Sequence, residues 1–494
     1  MKRPRDSRPW ARVAIKKISQ LVKHELHTYL EPHGQTHLLA HWDALAPHEQ
    51  QQLAKQIHEI DFPLMARLHR QGGAGVDWTE LAQRAEPPPA YRLNGEGRTC
   101  SLEDVRRPGE VALSAGKIGV ILVAGGQGSR LGFDHPKGMF PIGPISGASL
   151  FQVLFEKVIA RSRRHGVRIP LYLMTSSATH EQTIEYLREH NHFGLSADDV
   201  KIFCQGTMPA VDLRTGRLLL EEKGKIFKNP DGHGGMLAAL AKSGGLADAR
   251  RRGIEQFFYC QIDNPLVSMC DPEFLGYHLI AGADVSTQVV AKRDLRDKVG
   301  NVAIIDGRMQ VIEYSDLNPL SDEIVGRKTS DGKPVFWAGS IAVHVFDRTF
   351  LERMSDHAEG LAFHAAKKAV PHVDVSGQRI EPEQPNAIKF ERFIFDLLPA
   401  ARNGIVVEVD ESLAFAPLKN ASTEKTDTKE TVQGARMAVE RAWLRSADVR
   451  IGDQVPIEIS PLFAQDADDV KKQSGRLPKA IDRSTYLTPD ALSP

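Results

Sequence analysis

Three glycines, an arginine and a lysine stand at short intervals in VAGGQGSRLGFDHPKGMFPIG, directly after the apolar run IGVILVA. Gly125, Gly126 and Gly128 lack a Cβ, so a ligand can approach the backbone closely, and consecutive amides can form a concave anion site. Arg130 and Lys137 supply positive charge beside them. This predicts phosphate binding. Two familiar phosphate loops are excluded by spacing. Leu131 sits where G-x-G-x-x-G needs its third glycine, and Lys137 is followed by Gly138 rather than by the Ser or Thr of a P-loop. A glycine-rich turn alone is most often only a tight turn; Arg, Gly, Pro and Lys at fixed intervals make this one specific. Further polar groups end other apolar runs. Gln205 closes VKIFCQG, and its amide offers both the donor and the acceptor that a nucleobase edge requires. Asp263 follows FFYCQI, and one carboxylate plus nucleotide phosphates is a usual Mg²⁺ site, which Mn²⁺ can also occupy. In PDGHGGMLAAL a second glycine turn, Gly232, Gly234 and Gly235, runs into a helix and can bring backbone close to a nucleoside.

Such groups need a scaffold that gathers them. Ligands of open α/β sheets bind at the carboxyl ends of strands. From Lys117 onward the chain alternates β-branched apolar runs with amphipathic segments. The runs IGVILVA, IPLYLMTS, VKIFCQG, IEQFFYCQI and ADVSTQVVA read as strands. SLFQVLFEKVIARSRRHG, THEQTIEYLREH and GGMLAALAKSG read as helices, with Leu150, Leu154, Val158 and Ile159 on one face of the first. Alternation of this kind predicts an α/β layer around a mostly parallel, buried sheet. NVAIIDGRMQVIEYSDL departs from it, because Asp306-Gly307 between two alternating runs predicts a hairpin inserted on the parallel core. Arg161, Arg163 and Arg164 read as a solvated helix end. ERFIFDLLPAA reads as a helix, GIVVEVD as a strand, FAPLKN as a loop and ETVQGARMAVERAWLRSA as a helix.

Before residue 106 the pattern is helical, with Leu38, Leu39, Trp42, Leu45, Leu53, Ile57 and Ile60 at helix-like intervals, Pro47 placed to start a helix, and EPPPAY marking a junction. The expected division is a helical region 1–105, a catalytic domain 106–400 and a small C-terminal domain 401–494 with a ragged end. The 63 basic and 63 acidic residues cancel, so the basic excess of a general nucleic-acid binder is missing and phosphate binding must rest on local sites. No apolar run approaches the ~20 residues of a membrane span. Four cysteines in 494 residues, none in a CxxC pair, fit a reducing cytosol. The basic opening MKRPRDSRPWARVAIKKISQL has no apolar core of a secretory signal and reads as a solvated tail. No obligate protein partner is inferred.

AGGQGSRLGFDHPKG resembles the signature of sugar-nucleotide pyrophosphorylases, specifically the eukaryotic-type UDP-sugar group and its N-acetylhexosamine branch. The resemblance runs from about Gly34 to Asn420 through FCQGTMPA, NPDGHGGMLAAL, QIDNPLVSMCDPEFLG, VGNVAIIDGRMQVIEYSDL, FWAGSIAVHVF, PNAIKFERFIFDLL and FAPLKN. It implies a Rossmann-like α/β fold of the nucleotide-diphospho-sugar transferase type, with a mostly parallel mixed sheet. It implies uridylyl transfer from UTP to a sugar 1-phosphate, with N-acetylglucosamine 1-phosphate as the first expectation and glucose or galactose 1-phosphate as the alternative. By resemblance Gly125, Gly126, Gly128 and Arg130 hold the nucleotide, with Arg130 near the departing phosphates. Lys137 neutralises the α-phosphate, Gln205 reads the base, Asp263 is the metal ligand, and Lys419 of PLKN approaches the phosphates. Gly300 and Glu313 match sugar-contacting positions, and Lys389 also approaches the site.

Two departures bear on the sugar. The N-acetylhexosamine branch reads GNGG where this chain has His233 between Gly232 and Gly234, and NAGN where it has Trp337-Ala338-Gly339-Ser340. His233 and Ser340 thus replace amides that lie near the sugar, and the bulk of His233 and Trp337 can close an acetamido pocket. A non-catalytic nucleotide-binding protein on the same fold is the second class of reading; retention of Arg130, Lys137, Asp263 and Lys419 argues against it. A Rossmann dehydrogenase fails on the glycine spacing.

Overall fold

The computed structural model describes residues 9–72, 77–356 and 361–490. They form two compact units, each discontinuous in sequence. The larger takes its residues from 77–205, 233–361 and 394–494, the smaller from 1–76, 206–232 and 362–393.

The larger unit is built on a ten-stranded mixed sheet, whose strands we number in chain order: β1 Ala90–Tyr91, β2 Ile118–Val123, β3 Leu171–Thr175, β4 Val200–Cys204, β5 Gln256–Gln261, β6 Val285–Ala291, β7 Gly300–Ile305, β8 Arg308–Ile312, β9 Ala338–Asp347 and β10 Gly404–Glu408. Their order is β1-β10-β6-β9-β5-β2-β3-β4, with β7 pairing β8 and β9. The run β5-β2-β3-β4 is parallel throughout; β2, β3 and β5 are apolar strands buried on both faces, while β4 ends the sheet with Phe203 its one buried residue. Side chains of β2 alternate between two cores: Val120 and Leu122 join one with Leu154, Val158 and Phe258, while Ile121 and Val123 join the other with Tyr172, Phe257 and Tyr259.

Helix Leu150–His165 starts where the Ser149 side chain accepts the Gln152 N–H and stops at Gly166, whose φ of 66° is left-handed. The hairpin forms as expected, with Asp306 at φ 53° and Gly307 at φ 75° supplying its two-residue turn. The longest strand of the sheet is β9, in a stretch that only the resemblance singles out. Two readings are corrected. Residues Ile394–Ala400 form a 3₁₀ stretch rather than a regular helix, with Pro399, which lacks an amide, inside it. Arg161 is not solvated but 3% exposed, and its Nε donates to the Met269 carbonyl at 3.0 Å; Arg164 pairs with Asp466 and Asp469.

After helix Lys429–Arg445, two short parallel strand pairs enclose a local core of Leu444, Ile457, Val470 and Leu487. The ragged end expected at the C-terminus falls on residues 491–494, outside the described residues. In the smaller unit, helix Pro47–His58 does begin at Pro47, and Leu38, Trp42, Leu53 and Ile57 form a core with Val211, Leu220, Ile388 and Phe390. The expected solvated tail is helical from Pro9 to Leu30, and its first eight residues lie outside the described ones. Among the described residues, no helix is long and apolar enough to cross a membrane.

Candidate active site

β2 and β5 are parallel neighbours in the register Val123↔Gln261, so the glycine loop and Asp263 leave the sheet side by side. Lys137 Nζ lies 3.8 Å from Asp263 Oδ2. The loop is held by its own backbone: the Lys137 amide donates to Gly126 O at 3.0 Å, Leu131 to Gly128 O at 2.8 Å and Gly128 to His135 O at 2.9 Å. The Gly128 amide is therefore spent inside the loop. A Cβ there would lie 2.7 Å from the Phe133 ring, so this glycine is required by loop packing. At Gly126, by contrast, an added Cβ would meet nothing within 4 Å. At Gly125 it would lie 3.0 Å from the amide oxygen of Gln205, which is buried at the end of β4. Ser176 Oγ donates to the Gly125 carbonyl at 2.7 Å, so Gln205 and the loop are registered against each other.

Arg130, Lys137, Asp263 and Lys419 border one cleft of about 310 Å³ with Gln127 and Ser129. Burial lowers the pKa of Lys137; Asp263 opposes the shift, while Lys419 and Arg130 add to it. Three cations thus crowd one carboxylate, a field made for a polyanion. Lys419 arrives on a segment whose Leu418 amide donates to the Asp263 carbonyl at 2.8 Å. The next turn is closed by Asp427, whose carbonyl accepts from Lys419 and Asn420 at 2.8 and 2.9 Å and whose φ is 57°. Burial raises the Asp427 carboxyl; Lys419 opposes this and the charge of Asp263 adds to it. Nothing in the local sequence marked Asp427, because its place depends on the fold of the segment after Asn420.

His233, Gly300, Glu313 and Ser340 border a second cavity of about 170 Å³, which shares Asp263 and Lys419 with the first. Gln261, Lys298, Tyr314, Ala342, Phe395 and Phe415 are among its other wall residues, none of them singled out from sequence. Gly300 pairs with Ser340 across β7 and β9, and a Cβ on it would lie 3.0 Å from Glu313 Oε1. The Ala342 amide donates to Ser340 Oγ at 3.3 Å, and Ala342 takes φ 56° in mid-strand, a bulge that aims this stretch at the cavity. His233 Nδ1 accepts the Ile394 amide at 3.1 Å, and the ring stands edge-on to Phe395. Trp337 does not border the cavity, which corrects the expectation that its bulk closes a sugar pocket. It is buried in the core beneath Arg92, whose guanidinium lies 3.6 Å from its ring centre and pairs with Glu408.

The second glycine turn is divided between the units. Gly234 and Gly235 are buried ahead of helix Met236–Lys242 in the larger one. Gly232 belongs to the smaller, where its φ of 84° and the Arg392 carbonyl, 2.3 Å from an added Cβ, demand glycine. Lys389 also lies in the smaller unit, with Nζ 5.0 Å from the Phe227 ring centre.

The family described as UTP–glucose-1-phosphate uridylyltransferase matches residues 82–457. The chain belongs to this family. It is thus a UTP:sugar-1-phosphate uridylyltransferase, a family whose substrates are UTP and a sugar 1-phosphate. The uridylyltransferase is 35% identical over 469 residues to UDP-N-acetylhexosamine pyrophosphorylase-like protein 1 of Mus musculus, covering 92% of this chain and 89% of that one. It is 34% identical over 469 residues to UDP-N-acetylglucosamine pyrophosphorylase of Saccharomyces cerevisiae, covering 91% and 96%. The crystal structure of the uridine diphosphate N-acetylglucosamine pyrophosphorylase of Trypanosoma brucei shares the fold, with a TM-score of 0.80 at 24% identity over 95% of this chain and 99% of that one.

Proposed function

We propose that this uridylyltransferase joins UTP to N-acetylglucosamine 1-phosphate and releases pyrophosphate. The observation that carries this is the meeting of Arg130, Lys137, Asp263 and Lys419 in a cleft that opens, through Asp263 and Lys419, on the cavity of His233, Gly300, Glu313 and Ser340. The names of the mouse and yeast relatives support the sugar. A phosphate oxygen of the sugar 1-phosphate attacks the α-phosphorus of UTP in line; that P–O bond forms while the bond to the β-phosphate breaks. No protein nucleophile is needed, and catalysis is positioning plus stabilisation of phosphate charge. Lys137 and Lys419 neutralise the α-phosphate, and Arg130 meets the departing pyrophosphate. Gly125 and Gly126 let the nucleotide onto the backbone, while Gly128 shapes the loop. Gln205 reads the uracil, Gly234 and Gly235 give close approach on the nucleoside side, and Gly232, with its left-handed φ, turns the chain toward them. Glu313 accepts from sugar hydroxyls over Gly300.

Asp263 is the residue that would hold Mg²⁺ or Mn²⁺. Among the described residues no group of three His, Cys, Asp or Glu side chains gathers. A single half-buried carboxylate facing a phosphate cleft nonetheless fits a hard cation that takes its remaining oxygens from substrate and water. When bound, the cation neutralises phosphate charge.

The test is pyrophosphate release with UTP against N-acetylglucosamine, N-acetylgalactosamine, glucose and galactose 1-phosphates. The reading expects release with N-acetylglucosamine 1-phosphate, and no release with that sugar overturns it, release with glucose 1-phosphate alone favouring the second reading. A second reading, glucose 1-phosphate, is favoured by His233 and Ser340, which lack the amides expected near an acetamido group.

A further inference from the structure

Asp263 sits at the start of a segment that the proposed mechanism leaves unexplained. Residues 265–269 are irregular backbone, and they border a cavity of about 250 Å³ whose far wall includes Val439 and Trp443 of helix Lys429–Arg445. The cavity leaves open space on one side of the segment, while Val267 and Met269 are buried in the core. Its backbone carbonyls are held by one face of helix Leu150–His165. Lys157 Nζ donates to the carbonyls of Pro265 and Val267 at 2.6 and 2.8 Å, and one turn on, Arg161 Nε donates to that of Met269 at 3.0 Å. Two basic side chains spaced i, i+4 thus take the carbonyls of residues 265, 267 and 269 in this irregular stretch.

The same stretch is tied on its other side to the arm that carries Lys419. The buried Asn264 donates Nδ2 to Ala414 O at 2.8 Å and accepts the Ala416 amide on Oδ1 at 3.2 Å, and Leu418 donates to Asp263 O. A shift of 265–269 would move Asp263 and Lys419 together.

We propose that Lys157 and Arg161 are positioning residues for the transfer centre, a clamp that fixes Asp263 and, through Asn264, Lys419. This rests on the reading of Asp263 and Lys419 given above. Lys157 is part-buried and borders the cavity. Burial pushes its pKa down to about 7, with Arg436 adding to the shift and Glu440 opposing it. A neutral amine still has two N–H donors for two carbonyls, so the clamp does not depend on its charge. Its signature is therefore geometric rather than a pH profile.

The test compares Lys157→Met, Arg161→Met and Arg161→Lys with Val439→Ala on the far wall of the cavity. Three readouts are taken: amide hydrogen exchange at Leu418 and Val267, Mn²⁺ titration by electron spin resonance with UTP present, and kcat against KM. Lys157→Met and Arg161→Met should speed exchange at Leu418, raise the Mn²⁺ needed for half-saturation about tenfold and lower kcat by at least about as much. KM for UTP should move far less. Arg161→Lys, which keeps a donor, should recover most of each loss. Val439→Ala should lower the melting temperature and leave the metal titration alone. Wild-type exchange and Mn²⁺ titration in a folded Lys157→Met variant overturn the clamp. Should that variant not fold, Arg161→Met against Arg161→Lys decides in the same way. Inactivity of the wild-type chain with every sugar phosphate would sink the functional reading alone, because exchange at Leu418 reads the clamp without turnover.

Discussion

At the scale of single residues, Lys137 is the most exposed to test. It is largely buried, faces Asp263 and shares its cleft with two other cations. Lys137→Ala should lower turnover by ~10²–10³, the scale of losing one preorganised donor to developing charge. Near-normal turnover in the folded variant would remove it from the mechanism. Gln205 presents its amide against Gly125 at the rim of the loop. Gln205→Ala would leave a base edge unpaired, costing ~1–3 kcal/mol in kcat/KM for UTP. Equal use of ATP or dTTP by the wild type would contradict a reading by this side chain. Charge and amide chemistry are visible in the letter, but the roles expected of these two side chains came from the resemblance, not from residue identity. Identity failed at Arg161 and Gly128. A basic residue beside two others looks solvated until the Met269 carbonyl that it reaches is known, and a glycine looks like an open amide until Phe133 and His135 are folded over it.

Elements were legible where one local rule dominated. β2, β3 and β5 are buried on both faces and announce themselves as apolar runs, and Asp306-Gly307 fixes its turn by backbone conformation alone. β9 was not, although it is the longest strand. Gly339 and Ser340 interrupt its apolar pattern, and the left-handed Ala342 breaks the alternation that would reveal a strand. The same sheet predicts an acid-labile contact. His278, on helix Pro272–Ala281, is buried with its ring nitrogens bonded to Ser286 Oγ and Gln256 Oε1 at 2.7 and 2.9 Å. Burial pushes its pKa from 6.5 down to about 4. The unfolded chain therefore takes up a proton that the folded chain refuses. Stability is intact above about pH 6.5 and falls as pH drops toward 4, by up to about 3 kcal/mol. His278→Gln keeps polar partners but does not titrate. Thermal unfolding at about pH 7 and about pH 5 should show a smaller difference for this variant than for the wild type; equal differences would mean that another group governs the acid limb.

For the whole molecule, substrate choice depends on how the two cavities work together. Asp263 and Lys419 belong to both, so Asp263→Asn should weaken the rate and the metal dependence at once. Full wild-type activity in the presence of a chelator would exclude the metal. In the second cavity, His233 and Ser340 stand where the resemblance implies amides, and a site that pairs an acetamido group less well penalises its absence less. Glucose 1-phosphate should therefore be used, with N-acetyl preference in kcat/KM below ~10³-fold and raised by His233→Asn. A wild-type preference above that figure would show that the substitutions do not relax selectivity. None of this convergence was readable from periodicity. The distances among Lys137, Asp263 and Lys419 are set by register and by the Leu418–Asp263 bond, which link residues far apart in the chain.

The smaller unit gathers its residues from 1–76, 206–232 and 362–393, and its core joins Trp42 and Leu53 to Val211 and Phe390. During synthesis its opening helices leave the ribosome with their apolar faces bare. They must wait for residue 393 before the last piece of that core exists, a span in which collapse onto the wrong partner is the main hazard. Contacts of such long sequence separation also slow folding in general, because loop-closure entropy is lost before they form. Heterologous production of this chain should therefore gain more from slow translation and holding chaperones than from any stabilising substitution at its surface.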